Sequence, residues 1–198
     1  MIGIINYGVG NIGSLQNALT FLGLRSTLSK NPDELSRCKA LILPGVGAFP
    51  PAMEKLDTSG LVPFLRDWAK KKRPLLGICL GMQLLMTASE ENGFTPGLGL
   101  ISGQVVKLKN SPRSIHIGWN TVSPRYSNDL IPGEGYAYFV HSYACQPDNA
   151  ETVIGETTYG VSFASVVRSG NVIGVQFHPE KSQQFGLAFL KRFADGVF

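Results

Sequence analysis

Cysteine is scarce in this 198-residue sequence, and it has no long apolar runs. The cysteines are Cys38, Cys79 and Cys145, and no pair has the C-x-x-C spacing of a metal site. A disulfide framework is therefore not expected, and a reducing cytoplasm is the predicted location. No apolar run reaches the roughly 20 residues that cross a membrane. The start, MIGIINYG, lacks the charged and apolar regions of a signal peptide.

Charged residues are also few, at 16%, and the net charge is only +4. The one dense basic run, residues 70–73, ends a helical pattern, where the helix dipole favours cations. Nucleic-acid binding is not expected, because no basic stripe with interleaved aromatic residues is present. His116 and His141 lie within strand patterns, and we expect each to be partly buried and hydrogen-bonded. Without a His, Cys and carboxylate cluster at ligand spacing, we expect no metal and no cofactor.

The order of apolar runs and helical patterns predicts an α/β fold. In the first half, strands at residues 2–6, 26–29, 40–43 and 74–79 alternate with helices that begin near residues 12, 32, 61 and 80, the last one extending to residue 88. This alternation is typical of a mostly parallel central sheet flanked by helices. The second half predicts an antiparallel, hairpin-rich extension with strands at 104–108, 115–122, 137–145, 152–159, 163–168 and 172–177, then a helix over 183–194. No linker interrupts the pattern, so we expect a single domain over residues 1–198.

Cys79 is the candidate nucleophile. An apolar strand ends at this residue and a helix begins directly after it, with Gly77 and Gly81 on either side. A sharp turn between strand and helix projects a side chain into a cleft, as in the nucleophile elbow of hydrolases. The helix N-terminus favours the thiolate, and the N–H of Leu80 is placed to bind an oxyanion. The alternative is a buried structural cysteine, which is the common fate of a free cysteine.

A candidate base follows the strand at residues 172–177, in the sequence His178-Pro179-Glu180. In an extended chain, His178 and Glu180 point to the same side. His178 is then the group that takes the proton from Cys79, and Glu180 orients the imidazole. The alternative is a surface histidine beside a loop glutamate.

The loop at residues 44–49 (PGVGAF) is the candidate oxyanion loop, because ligands of parallel sheets bind beyond the carboxyl ends of strands. Its glycines allow the backbone to turn an N–H group toward a substrate. The candidate donors are the N–H groups of Val46 and Gly47. A plain strand-to-helix turn is the alternative.

These motifs, GICLGMQ at 77–83, PGVG at 44–47 and HPE at 178–180, together resemble the class I glutamine amidotransferase family. The resemblance covers essentially the whole chain. It implies hydrolysis of glutamine to glutamate and ammonia through a γ-glutamyl thioester on Cys79. The stretches 6–14, 118–120 and 139–143 narrow the resemblance to members that serve histidine biosynthesis.

The same resemblance implies further site residues. Gln83, Ser142 and Tyr143 would hold the amino-acid end of glutamine, and Gly47 and Leu80 would lie near the oxyanion. The loop at residues 44–47 would need to reorient before its N–H faces that oxyanion. The isolated chain would then be nearly inactive.

The resemblance also implies a partner, a separate cyclase subunit with a (β/α)₈ barrel, in a heterodimer. The ammonia would be used there to make imidazole glycerol phosphate and an aminoimidazole carboxamide ribotide. Candidate interface residues are Asn11, Trp119, Tyr136 and Lys181, with core packing as the alternative for Trp119.

Three other functions are alternatives to this one. The chain could supply ammonia for anthranilate, purine or pyridoxal phosphate synthesis. A non-catalytic regulatory protein on the same fold would lack Cys79, His178 or Glu180, and all three are present. A cysteine peptidase would give no reason for Gln83 four residues beyond the nucleophile.

Overall fold

Strands and helices alternate through the first half of the chain, as the apolar pattern predicts. The computed structural model describes residues 1–196, and its first elements are β1 (Ile2–Ile5), α1 (Ile12–Phe21), β2 (Ser26–Ser29), α2 (Pro32–Ser36), β3 (Ala40–Leu43), α3 (Phe49–Thr58), α4 (Leu61–Lys70), β4 (Leu75–Ile78) and α5 (Leu80–Leu84). The remaining elements are β5 (Met86–Ser89), β6 (Thr95–Pro96), β7 (Ile101–Lys107), β8 (His116–Pro124), β9 (Gly135–His141), β10 (Tyr143–Pro147), β11 (Val153–Tyr159), β12 (Val161–Ser169), β13 (Val172–Val175) and α6 (Gln183–Asp195).

The main sheet has nine strands in the order β2-β1-β3-β4-β13-β12-β11-β8-β9. The strands from β2 to β13 run parallel, and those from β13 to β9 pair antiparallel. β1, β3, β4 and β13 are buried along their whole length, which explains their continuous apolar sequences. The predicted α/β fold with an antiparallel extension is confirmed.

A second sheet, in the order β10-β7-β5-β6, was not predicted, and it makes two boundaries wrong. The helix predicted to reach residue 88 ends at Leu84, because the Leu84 and Met86 carbonyls accept N–H groups from Leu98 and Gly99. The single strand predicted over 137–145 is two strands, β9 and β10, which join different sheets. The helix α3 was also not predicted.

The strand order places the three motifs at one edge of the main sheet. β3, β4 and β13 are neighbours and parallel, so the segments that follow Leu43, Ile78 and Val175 leave the sheet side by side. This carboxyl edge is where parallel sheets bind ligands. Within residues 1–196, no helix combines the length and the apolar character that a bilayer crossing requires.

Two glycines allow the Cys79 turn to pack against the sheet. A Cβ at Gly81 would overlap the Leu43 carbonyl oxygen, and a Cβ at Gly77 would lie 2.6 Å from the Gly81 oxygen. Neither backbone oxygen can move aside as a flexible side chain would. The glycines on either side of the cysteine are therefore required by the packing of α5 on β3 and β4.

We predict that Gly81→Ala lowers the free energy of unfolding by about 3 kcal/mol, because the new methyl group overlaps a backbone oxygen. Gly13→Ala is the matched control, since a Cβ at this helical glycine meets no atom within 4 Å. That control is expected to stabilise the chain by at most about 1 kcal/mol. Urea denaturation measures both variants, and equal effects would contradict the prediction.

Candidate active site

Cys79 lies in a strained turn between β4 and α5. Its φ and ψ are 54° and −111°, a region that residues other than glycine rarely adopt. The Cys79 N–H donates to the Val175 carbonyl at 2.8 Å, so the turn remains attached to β13. The side chain faces a cleft and is 6% exposed. The predicted elbow is therefore present.

His178 and Glu180 form a buried pair beside this turn. The His178 Nδ1–H donates to Glu180 Oε1 at 2.8 Å, and the two side chains are 2% and 3% exposed. The contact was predicted on the basis that residues 178–180 are extended, and this is only partly correct. His178 is extended, whereas Pro179–Lys181 forms a 3₁₀ turn that folds the carboxylate back onto the ring.

The electrostatics of the pair favour a charged imidazole. Burial opposes the imidazolium, but the Cys79 thiolate and the Glu180 carboxylate outweigh it and raise the pKa of His178 to about 10. His178 Nε2 is buried and has no hydrogen-bond partner among the described residues. The ring is therefore oriented by Nδ1, and its second nitrogen remains available to the cleft that it shares with Cys79.

The cleft has a volume of about 320 Å³ and brings together most of the predicted site residues. Those that line it are Val46, Gly47, Cys79, Leu80, Gln83, Ser142, Tyr143 and His178. Glu180 lies behind His178 and does not line this cleft. The structure adds four lining residues that were not predicted as site residues: Glu91, Ile115, Val140 and His141.

The candidate oxyanion loop is anchored by side chains at both ends. The Tyr7 hydroxyl donates to the Pro44 carbonyl at 2.8 Å, and burial and the Cys79 thiolate raise the pKa of Tyr7, which keeps it a donor. At the other end, the Phe49 N–H donates to the Glu91 carboxylate at 2.8 Å. Gly47, between the anchors, has a φ of 93°, which favours glycine.

A chain of hydrogen bonds leads into the cleft from the partly exposed Asn120 on β8. Asn120 Nδ2 lies 3.2 Å from His116 Nε2, and His116 Nδ1 lies 3.0 Å from His141 Nε2. His141 Nδ1–H donates to the Tyr143 carbonyl oxygen at 2.8 Å. Burial lowers the pKa of His116 to about 4 and that of His141 to about 3, so both rings are neutral. The expectation of hydrogen-bonded histidines is confirmed, although both are more deeply buried than predicted.

The same Tyr143 carbonyl accepts from Gln83 Nε2 at 3.0 Å, and Gln83 Nε2 also donates to Gln176 Oε1 at 3.2 Å. Gln176 is a buried residue that the sequence analysis did not single out. Its position directly before Phe177 and His178 was the available signal. Glu91 and Tyr7 gave no comparable signal, because their contacts reach across more than 35 residues of sequence.

The four candidate interface residues lie near the same edge but do not form one contact cluster. Trp119 and Tyr136 are 48% and 66% exposed on the hairpin of β8 and β9, so core packing is the wrong role for Trp119. Lys181 Nζ lies 5.9 Å from the centre of the Tyr138 ring, and that ring packs edge-on to Trp119. Asn11 lies apart from them, at a small cavity beside His178.

We predict that Glu180→Gln destabilises the chain more near pH 6.5 than near pH 10. The pKa of His178 is raised above its ordinary 6.5, so the stability from its charged form is fully present below that value and is lost as pH rises toward about 10. Free energies of unfolding from urea denaturation at both ends of this range test the prediction. The difference in the free energy of unfolding between the unchanged chain and Glu180→Gln should become smaller as the pH rises. A constant difference would contradict the prediction.

The chain is similar to known proteins over nearly its whole length. The model of the family Glutamine amidotransferase class-I matches residues 3–196. The chain is 48% identical over 201 residues to imidazole glycerol phosphate synthase subunit HisH of Bacillus licheniformis, with 98% of this chain and 95% of that protein covered. It is 47% identical over 199 residues to the subunit of the same name from Moorella thermoacetica, with 99% and 95% covered.

Solved structures show the same fold at low sequence identity. A crystal structure of a glutamine amidotransferase has a TM-score of 0.78 at 20% identity, with 99% of both chains covered. The structure of PurLQS from Thermotoga maritima has a TM-score of 0.74 at 16% identity, with 96% and 95% covered. Together, the family match and the close relatives show that this chain belongs to the class I glutamine amidotransferase family.

Proposed function

We propose that the chain hydrolyses L-glutamine to L-glutamate and ammonia, and supplies the ammonia to a synthase that makes imidazole glycerol phosphate in histidine biosynthesis. The observation that carries this proposal is the buried His178–Glu180 pair, whose free Nε2 shares a cleft with Cys79. The acceptor pathway rests on relatives at 48% and 47% identity, whose names place them in imidazole glycerol phosphate synthase.

Cys79 is the proposed nucleophile and His178 the proposed acid and base. The thiolate attacks the side-chain carboxamide carbon of glutamine and forms a C–S bond. His178 then gives its proton to the departing amine, the C–N bond breaks, and ammonia leaves a γ-glutamyl thioester. A water molecule, deprotonated by His178, attacks the thioester, which releases glutamate and restores the thiol. Glu180 holds the imidazole in the orientation that both steps need.

The oxyanion of each tetrahedral intermediate is proposed to bind backbone N–H groups of Leu80 and of Val46 or Gly47. All three residues line the cleft beside Cys79. Such donors act most strongly where water is excluded, because no solvent competes for the developing charge. The left-handed backbone at Gly47 supports a loop that can present an N–H in more than one direction.

The amino-acid end of glutamine is proposed to lie among Gln83, Glu91, Ser142 and Tyr143. These residues line the same cleft as Cys79. The Glu91 carboxylate provides a negative charge for the α-ammonium group, which strengthens the bond relative to a neutral pair. Gln83 is held in place by its hydrogen bonds to Tyr143 and Gln176, so its position is fixed before the substrate arrives.

The proposed partner is a cyclase subunit with a (β/α)₈ barrel, which docks over the cleft edge to form a heterodimer. An apolar surface supports this location, because large side chains on β8, β9 and the segment before β8 are exposed together. They are Ile115, Ile117, Trp119, Tyr136 and Val140. Ile115 and Val140 also line the cleft, so a protein on this surface would cover the opening and receive the ammonia. Lys181, near the Tyr138 ring, is the proposed polar contact at its rim, and Asn11 is a separate proposed contact beside His178.

The catalytic assignment predicts that Cys79→Ala reduces glutaminase turnover at least about 10³-fold, because no other group can form the thioester. The assay mixes the chain with the barrel cyclase and its ribotide substrate and follows glutamate release. Cys38→Ala is the matched control, since this thiol is buried behind α2 and should not affect turnover. If release in this mixture does not exceed that of the isolated chain, the histidine pathway is the wrong assignment. Retained turnover in Cys79→Ala would instead exclude the nucleophile.

The docking assignment predicts that Trp119→Ala raises the Kd for the cyclase by about 30-fold, as expected for a buried aromatic anchor. Phe21→Ala is the matched control. Phe21 is 78% exposed, but it ends α1 and therefore lies toward the opposite edge of the sheet. Isothermal titration calorimetry compares the two variants. Equal affinities would place the interface elsewhere.

A further inference from the structure

Gln176 is a fully buried amide behind the proposed nucleophile, and the reaction as proposed above assigns it no chemical role. Its side chain is 0% exposed and it lies between β13 and His178. Its backbone N–H donates to the Ser165 carbonyl at 2.9 Å, which holds the residue in the antiparallel ladder with β12. A buried amide in such a position needs partners for both its oxygen and its nitrogen.

One backbone carbonyl fixes the orientation of two side-chain amides. The Tyr143 oxygen can only accept, so the Gln83 atom 3.0 Å from it must be the nitrogen Nε2. That nitrogen also lies 3.2 Å from Gln176, so the Gln176 atom facing it must be the oxygen Oε1. The Gln176 nitrogen is thereby turned toward Cys79. Reversing either amide would place two donors or two acceptors against each other.

Two groups with opposite requirements contact the Cys79 sulfur. Gln176 Nε2 lies 3.8 Å from Sγ, and the Val140 carbonyl oxygen lies 3.9 Å from it. The carbonyl can accept only from the neutral S–H, whereas the amide N–H can only donate and therefore favours the thiolate. We propose that Gln176 stabilises the thiolate of Cys79 from the buried side, while His178 faces it from the cleft. This inference rests on the proposed role of Cys79 as nucleophile.

Burial makes this contact stronger than its length suggests. Hydrogen bonds to ionised groups gain strength where water is excluded, and removing one donor changes such an equilibrium by about ten-fold or more. The other titratable groups around Cys79 belong to several different elements, and none of them is changed when Gln176 is replaced. They are Tyr7, Glu91, His141, Cys145, His178 and Glu180.

The pH profile of Cys79 alkylation by iodoacetamide in the full chain tests the inference. Gln176→Met removes the donor and keeps a similar volume. The midpoint of its profile is expected to rise by about one pH unit, and its alkylation rate at pH 7 to fall about ten-fold. Mass spectrometry of the peptide that contains Cys79 separates this thiol from Cys38 and Cys145. Cys79→Ala gives the background signal of the assay, because its peptide has no thiol to alkylate.

Gln176→Glu is the second variant, because it replaces the N–H donor with an oxygen and still accepts from Gln83. It is expected to raise the midpoint at least as far as Gln176→Met does, because its carboxylate also repels the thiolate. Ser165→Ala is the matched control on the neighbouring strand, where it removes a buried hydroxyl without a partner among the described residues, and its profile should not move. Thermal unfolding establishes that each variant is folded.

An unchanged midpoint in either folded Gln176 variant would overturn the inference, even if glutamine turnover falls, because packing alone would then explain the loss. Failure of the glutaminase assignment would appear differently. In that case the alkylation profile would still shift, but glutamate release with the cyclase would be absent.

Discussion

The packing of the Cys79 turn against the end of β3 is the contact on which the rest of the site depends. A positive φ at a residue other than glycine costs of the order of 1–3 kcal/mol, and it persists only where the surroundings enforce it. Here the N–H of Cys79 is bonded to β13, and Gly81 lies directly on the Leu43 carbonyl. The proposed nucleophile, the oxyanion loop and the segment with His178 are thus positioned by three adjacent strands of one sheet.

The elbow could be predicted from the sequence because its signal is local. Gly77 and Gly81, two residues before and after a cysteine at the end of an apolar strand, indicate a tight turn, although contacts with β3 and β13 are what hold it. His178 and Glu180 were predictable for the same reason, although a 3₁₀ turn joins them and not an extended chain. The parallel sheet followed from continuous apolar runs, which are typical of strands buried on both faces.

The remaining features depend on contacts between distant parts of the chain. β5 was predicted as helix because its apolar residues fit either pattern, and its pairing with β6 and β7 makes it a strand. The position of Gln176, directly before Phe177 and His178, can be read from the sequence. The orientation of its amide depends on Gln83 and Tyr143, which are far away in sequence. Local patterns carry no information about such partners, so the second sheet and the buried amide could be found only in three dimensions.

Three histidines in one region show how burial and charge separate chemical roles. His116 and His141 are neutral because burial opposes their charge and their neighbours are a ring, an amide and a carbonyl. His178 is buried as well, but a thiolate and a carboxylate face it and reverse the outcome. The burial of all three is similar. The partner groups therefore decide which ring can move a proton near neutral pH.

The anchored ends of the loop after β3 also limit how it can move. Pro44 is held by Tyr7, Phe49 is held by Glu91, and Gly45 is pressed against Leu80 and Gly81. Around Gly47, by contrast, there is open space. A crankshaft rotation, in which the peptide planes beside Gly47 turn while both ends stay fixed, is compatible with these contacts. The half-exposed Val46 side chain lies next to these peptide planes, so a docked protein could reverse the direction of an N–H group by contacting this one residue.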